Sequence, residues 1–275
     1  AELQESATTL AFSDGGSQAT RLAAVRTLGE LGTNETKRLA KLVDSDASPS
    51  LRIAGLESLA RLDLSGAAKL GADMLASNQA VDDILQIFLN REAGGDALTK
   101  ALTKARIGKA PAAAALAKLQ SIGSSETKLM DYLGKVAGLK NNVPTYSARY
   151  VSSLAKAAAK ADAANGKTMF TAAGCIACHK VGEANNNGIP FIGPDLETIG
   201  NTLSTERIIE ETLWPGRHVK EGFSLLQLTT KNGGVHQGYE QRSRAKDVIL
   251  RPLTQATTIT IPHVEISEQT ELGSA

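Results

Sequence analysis

Cys175, Cys178 and His179 stand in the run Gly174-Cys175-Ile176-Ala177-Cys178-His179-Lys180, and their types and spacing suit one piece of chemistry. Two thiols three residues apart on a helical turn can each form a thioether to one vinyl group of a haem. The histidine that follows is then held beneath the iron as an axial ligand. A redox dithiol or half of a zinc site shares the Cys-x-x-Cys spacing. A zinc site needs two further ligands at close, regular spacing, yet the chain has 2 cysteines and 4 histidines, and His218, His236 and His263 are scattered. A thioredoxin-like dithiol follows a buried strand, whereas residues 157–173 have almost no β-branched character. One haem c, covalently attached through Cys175 and Cys178 with His179 on the iron, is the expected cofactor.

The elements that must position this motif follow from pattern. At 275 residues with net charge +1, the chain has room for two domains, and global charge favours neither nucleic acid nor an anionic membrane surface. No apolar stretch approaches the ~20 residues of a membrane span. The first half, to about Leu139, is rich in Ala, Leu, Lys and Glu at helical spacing. Within it the segment from Arg21 to Leu31 is echoed from Arg52 to Leu62, with Arg, Ala, Leu and Leu in step, a helical-repeat signature. Leu22, Val25, Leu28 and Leu31 are expected on one face, as are Ile53, Leu56, Leu59 and Leu62, with Ala23 and Ala54 letting the helices approach. The arrangement resembles HEAT-like repeats, and Ile84 to Leu89 and Leu116 to Leu119 continue it with decaying fidelity. Such a unit either spaces other domains or offers a docking surface.

A polar, proline-bearing stretch at 140–145 reads as the linker. A helix from Ala148 to about Lys160 is expected next. A short helix at 164–170 then opens the haem module, with Phe170 close to the porphyrin and Met169 in the core rather than on the iron. Beyond the motif come a loop at 185–190 and the segment Phe191-Ile192-Gly193-Pro194-Asp195-Leu196. An iron-bound imidazole needs an acceptor for its other ring N–H, and proline offers only a carbonyl, on a rigid φ. Ser204 or Thr205 can cap a helix carrying Ile208 and Leu213, which could line a haem crevice, and that helix stops before Pro215. Trp214 and Arg217 are placed for wall or propionate contacts, a core tryptophan being the plainer alternative. Alternation over 223–230, a Lys231-Asn232-Gly233-Gly234 turn, a return strand at 235–239, and strands at 247–250 and 257–261 make a small antiparallel insertion.

Together these elements resemble the class I-like cytochrome c domain, preceded by HEAT-like repeats, of exported multidomain haem proteins from planctomycetes and related bacteria. The resemblance is strong from Asn165 onward and weak over the repeats. It implies a mainly α fold: a HEAT-like α-solenoid at 1–140, a linker and connecting helix at 141–163, and an α-helical cytochrome c domain at 164–275 with a β insertion at about 222–262. It gives Pro194 the role of acceptor for His179, and places Ile192, Gly193, Leu196, Phe170, Ile208, Trp214 and Arg217 around the haem.

The resemblance further implies one-electron transfer in the periplasm or another exported setting. A redox protein or dehydrogenase domain would be the donor and another electron carrier the acceptor, with neither nucleic acid nor a membrane span involved. In such proteins the sixth ligand is a methionine in a Ser-x-Met-Pro turn after the β insertion. The match stops one residue short of it, so the chain is expected to be part of a longer protein, with His218, His236 and His263 as the alternative ligands. A repeat scaffold with haem as sensor, or a haem enzyme with an open iron, remain the alternative functions. No Ser-His-Asp set, phosphate-cradling loop or paired-carboxylate motif points to an independent catalytic site.

Overall fold

The computed structural model describes residues 2–13, 15–139, 144–182, 192–253 and 257–274. Residues 140–143 of the expected linker at 140–145, the loop at 185–190 and Phe191 lie outside them. The chain is mainly helical, with a small antiparallel sheet near its C-terminal end. It divides into two compact units, one of residues 1–119, 126–140 and 233–235, the other of residues 120–125, 141–232 and 236–275.

The first half forms α1 (Glu2–Phe12), α2 (Gln18–Glu30), α3 (Thr36–Val43), α4 (Pro49–Leu62), α5 (Leu64–Ala76), α6 (Val81–Leu89), α7 (Gly94–Ala105), α8 (Lys109–Ser121) and α9 (Thr127–Ala137). Local chemistry sets several starts: Ser17 and Asp63 each accept from the backbone N–H three residues on, and Pro49 occupies the first turn of α4. Helix α2 packs on α4, α4 on α5, α5 on α7 and α7 on α9, with α1 against α2 and α3 against α4.

Val25, Leu28, Leu56, Leu59, Ile84, Leu85, Phe88, Leu98 and Leu102 are all at most 1% exposed, forming one continuous core. The sequence echo has a structural counterpart. Arg21 Nε donates to Ala11 O at the end of α1, and Arg52 Nε donates to Val43 O at the end of α3. Each of the two arginines thereby satisfies a carbonyl in the last turn of the preceding helix, where intrahelical donors run out.

Two expectations change here. Leu31 is 43% exposed because α2 ends at Glu30, and the apolar face ends with it. Ala54 is buried as expected, but Ala23 is exposed, and the close α2–α4 approach falls instead at Gly29. A Cβ there would sit 2.8 Å from Ser58 Cα. Buried Ser58 stays satisfied by donating to Val25 O at 2.8 Å.

The second unit carries α10 (Ala148–Ala158), α11 (Ala163–Ala172), a 3-10 turn (Cys175–Ala177), α12 (Ile199–Thr202) and α13 (Thr205–Leu213), with Ser204 capping α13 through Arg207 N. Helix α10 packs against α13. Then follow β1 (Leu225–Thr230), β2 (Val235–Ser243), β3 (Asp247–Pro252), β4 (Ile259–Pro262) and β5 (Ile266–Gly273), in the order β4-β3-β2-β1-β5. Leu226, Leu228, Val248, Leu250 and Ile261 form a buried cluster on the sheet. The sheet extends past the limit near 262, because β5 pairs with β1 antiparallel along Leu225–Thr230.

Candidate functional site

Helix α11 delivers the chain to the motif and stops at Ala172. Gly174, at φ +80°, makes the left-handed turn that a side chain would resist, and the chain tightens into the 3-10 turn beginning at Cys175. The N–H groups of Cys178 and His179 both bond Cys175 O, at 3.2 and 3.0 Å. The two cysteines are therefore fixed on one turn. Neither is in a disulfide, and both are half-buried. Burial, and then the neighbouring Cys175, push the Cys178 thiol above its ordinary pKa.

His179 is oriented from its far side. Its Nδ1 lies 3.0 Å from Pro194 O. A carbonyl can only accept, so the proton sits on Nδ1 and the Nε2 lone pair is left for a metal. The loop that brings Pro194 there is stitched to the motif: Gly193 N donates to Cys178 O at 2.8 Å, and Leu196 N to Lys180 O at 2.9 Å. A Cβ on Gly193 would sit 2.6 Å from His179 Cε1, so only glycine allows the ring this close. Lys180 Nζ reaches Asp195 Oδ2 at 3.0 Å and Glu197 Oε2 at 3.6 Å. A backbone bond from Glu197 and then Lys180 hold the Asp195 carboxyl below its usual range.

The apolar residues expected around the group are brought near full burial by nothing described. Phe170, Ile192, Leu196 and Ile208 are only half-buried, and α11, α12 and α13 have no fully buried residue. Such helices suit a flat apolar group as their common core. The donor set, two thiols on one turn and an imidazole with its outer N–H fixed, fits haem. Met169, expected in the core, is 57% exposed.

Trp214 and Arg217 have their described partners in the connecting segment rather than at the motif. Trp214 Nε1 donates to Pro144 O at 2.9 Å, and its ring meets Tyr146 and Tyr150 edge-on at 5.3 and 6.4 Å. The Arg217 guanidinium lies 3.5 Å over the Tyr146 ring, and Tyr146 donates to Glu210 Oε1 at 2.7 Å. An indole N–H needs an acceptor and a guanidinium is drawn to an aromatic face, which is why this cluster closes on itself. Sequence reasoning misses Tyr146, since it lies far from Glu210 along the chain.

The three alternative histidines have other surroundings. His218 stands 3.8 Å from Glu210, His263 donates to Arg244 O at 3.0 Å, and burial holds the half-buried His236 below its ordinary pKa, against the pull of Glu265. Among the described residues, no three His, Cys, Asp or Glu side chains cluster to hold a metal ion. The sheet reaches the loop that carries Pro194: Arg251 Nη2 donates to Ile192 O at 2.9 Å, a contact no local spacing announces.

Residues 163–223 match the family model for cytochrome c. No curated protein matches the chain. The family match supports a cytochrome c domain over that stretch, and with it a covalently attached c-type haem and haem-based electron transfer. Cytochrome c domains are typically exported, and no described helix is long and apolar enough to cross a membrane.

Proposed function

We propose that this chain is the electron-accepting module of an exported dehydrogenase or respiratory chain, taking electrons singly from a dehydrogenase domain or redox protein and passing them to another carrier. The observation that carries the reading is the His179–Pro194 bond, which commits the imidazole to one tautomer and one orientation beside two cysteines on a single turn. Cys175 and Cys178 would hold the haem through thioethers, and His179 Nε2 would ligate its iron. Phe170, Ile192, Leu196 and Ile208 would cover its faces. When bound, the haem supplies an iron that gains and loses one electron at a potential set by its axial ligands, burial and hydrogen bonding. The protein keeps His179 from turning.

The helical unit reads as HEAT-like repeats stacked in a solenoid. The paired arginine contacts at the ends of α1 and α3 and the serial packing of α2, α4, α5, α7 and α9 support that reading.

A potentiometric titration followed by visible absorption tests the carrier role. One-electron Nernst behaviour with a low-spin spectrum is expected. Rapid turnover of peroxide by a high-spin iron would overturn it and favour the open-iron enzyme.

A further inference from the structure

Ile192, Gly193 and Pro194 send directed bonds to three different places. Pro194 O accepts from His179, Gly193 N donates to Cys178 O, and Ile192 O accepts from Arg251. The first two tie the loop to the motif, and the third ties it to the sheet. Arg251 on β3 lies directly across from Tyr239 on β2, and residues paired in this way share one face of a sheet. That face is the one opposite Val248 and Leu250, whose side chains alternate with that of Arg251 along β3 and belong to the sheet's own cluster.

Tyr239 is 6% exposed and stacks edge-on with Phe223 at 5.5 Å. Burial first, and then Cys178, push its phenol above its ordinary pKa. This face of the sheet thus carries one buried aromatic and one cation, and the cation bonds the residue two before Pro194.

We propose that Arg251, held in register by its cross-strand partner Tyr239, is a positioning residue for the histidine ligand, fixing the Ile192–Pro194 segment whose carbonyl orients His179. The inference rests on the reading of His179 as the iron ligand. It explains what the β insertion does for the haem module. The sheet is the outer jaw of a clamp whose inner jaw is the Cys175–His179 turn.

The test compares the native chain with Arg251→Gln and Arg251→Lys, by amide exchange and by the NMR signal of the His179 ring N–H. A bond from a charged donor is worth enough that Arg251→Gln should speed exchange at Gly193 and Leu196 about tenfold. The His179 Nδ1 proton should shift and broaden, and Arg251→Lys, which keeps a charged donor, should restore much of both. Exchange at Leu228 and Leu250 in the sheet should stay as it was. Unchanged exchange at Gly193 and Leu196, or equal acceleration throughout the sheet, would overturn the proposal by making Arg251 either idle or merely structural. Intact mass is read first. Absence of haem would sink the electron-transfer reading, while the exchange comparison would still decide the clamp, since every group in it is protein.

Discussion

Helices α2–α7 and helices α11–α13 both draw on Ala, Leu and Ile, yet they solve the problem of a core in opposite ways. In the first set Leu28, Leu56, Leu59, Ile84, Phe88 and Leu98 are at most 1% exposed, and each helix buries its stripe on another helix. In the second set no residue is fully buried: α13 packs against α10, and the rest is held by the caps at Asp162 and Ser204, the turn at Gly174, and backbone bonds between residues 178–180 and 193–196. A helix gains little stability from hydrogen bonds and caps alone without an apolar face to bury. The helical unit therefore carries its own core, whereas the segment around Cys175 is organised to receive one.

Removing the group should break the comparison most visibly. In Cys175→Ser/Cys178→Ser protein, amides of α11 and α13 are expected to move toward unprotected exchange while those of α4 and α7 keep their protection. Equal protection of α11 in both proteins would mean that the segment has a core of its own. The opposite lesion is Phe88→Ala, in a side chain that is 0% exposed. It should cost about 3–5 kcal/mol in denaturant unfolding of the helical unit, while leaving the visible spectrum of the haem in place.

Gly29→Ala sharpens the comparison further. Forcing a Cβ against Ser58 should cost about 1–3 kcal/mol in the same measurement, which a loosely packed helix pair would absorb without loss. The smallest effect belongs to His236. Burial lowers its pKa in the folded chain, so its contribution to stability is fully present above the ordinary histidine value, about 6.5, and is lost as pH falls through the folded value. Melting temperatures taken from roughly pH 7 down to 5 should fall less steeply for His236→Gln than for the native chain. Parallel curves would show that the histidine is not held neutral.

What is legible in the sequence is what is local or periodic. Cys175, Cys178 and His179 declare themselves because thioether attachment and axial ligation require them within one turn. The cap at Ser204 and the turn at 231–234 are equally short-range. The sequence echo is legible through Arg21 and Arg52, although their bonds to Ala11 O and Val43 O are not. Ala23 is a reasonable choice for close helix approach, but helix rotation decides in favour of Gly29, and rotation is a tertiary quantity. Strand β5 escapes because Ile266-Ser267-Glu268-Gln269-Thr270-Glu271 is too polar to read as a strand. At a sheet edge, paired on one side to β1, polar residues are what discourages association with another chain. Arg251 and Tyr146 are invisible for a third reason: each acts on a partner 59 or 64 residues away, through a contact that only the folded chain creates.

The most direct measurement is the intact mass of the chain produced with export and haem attachment, beside that of Cys175→Ser/Cys178→Ser protein made in the same way. The native chain should gain the mass of one haem with no titratable thiol left, and the double variant should gain nothing. A native chain of unmodified mass with both thiols free, or a variant that still carries covalent haem, would contradict covalent attachment at this turn and the electron-transfer role built on it.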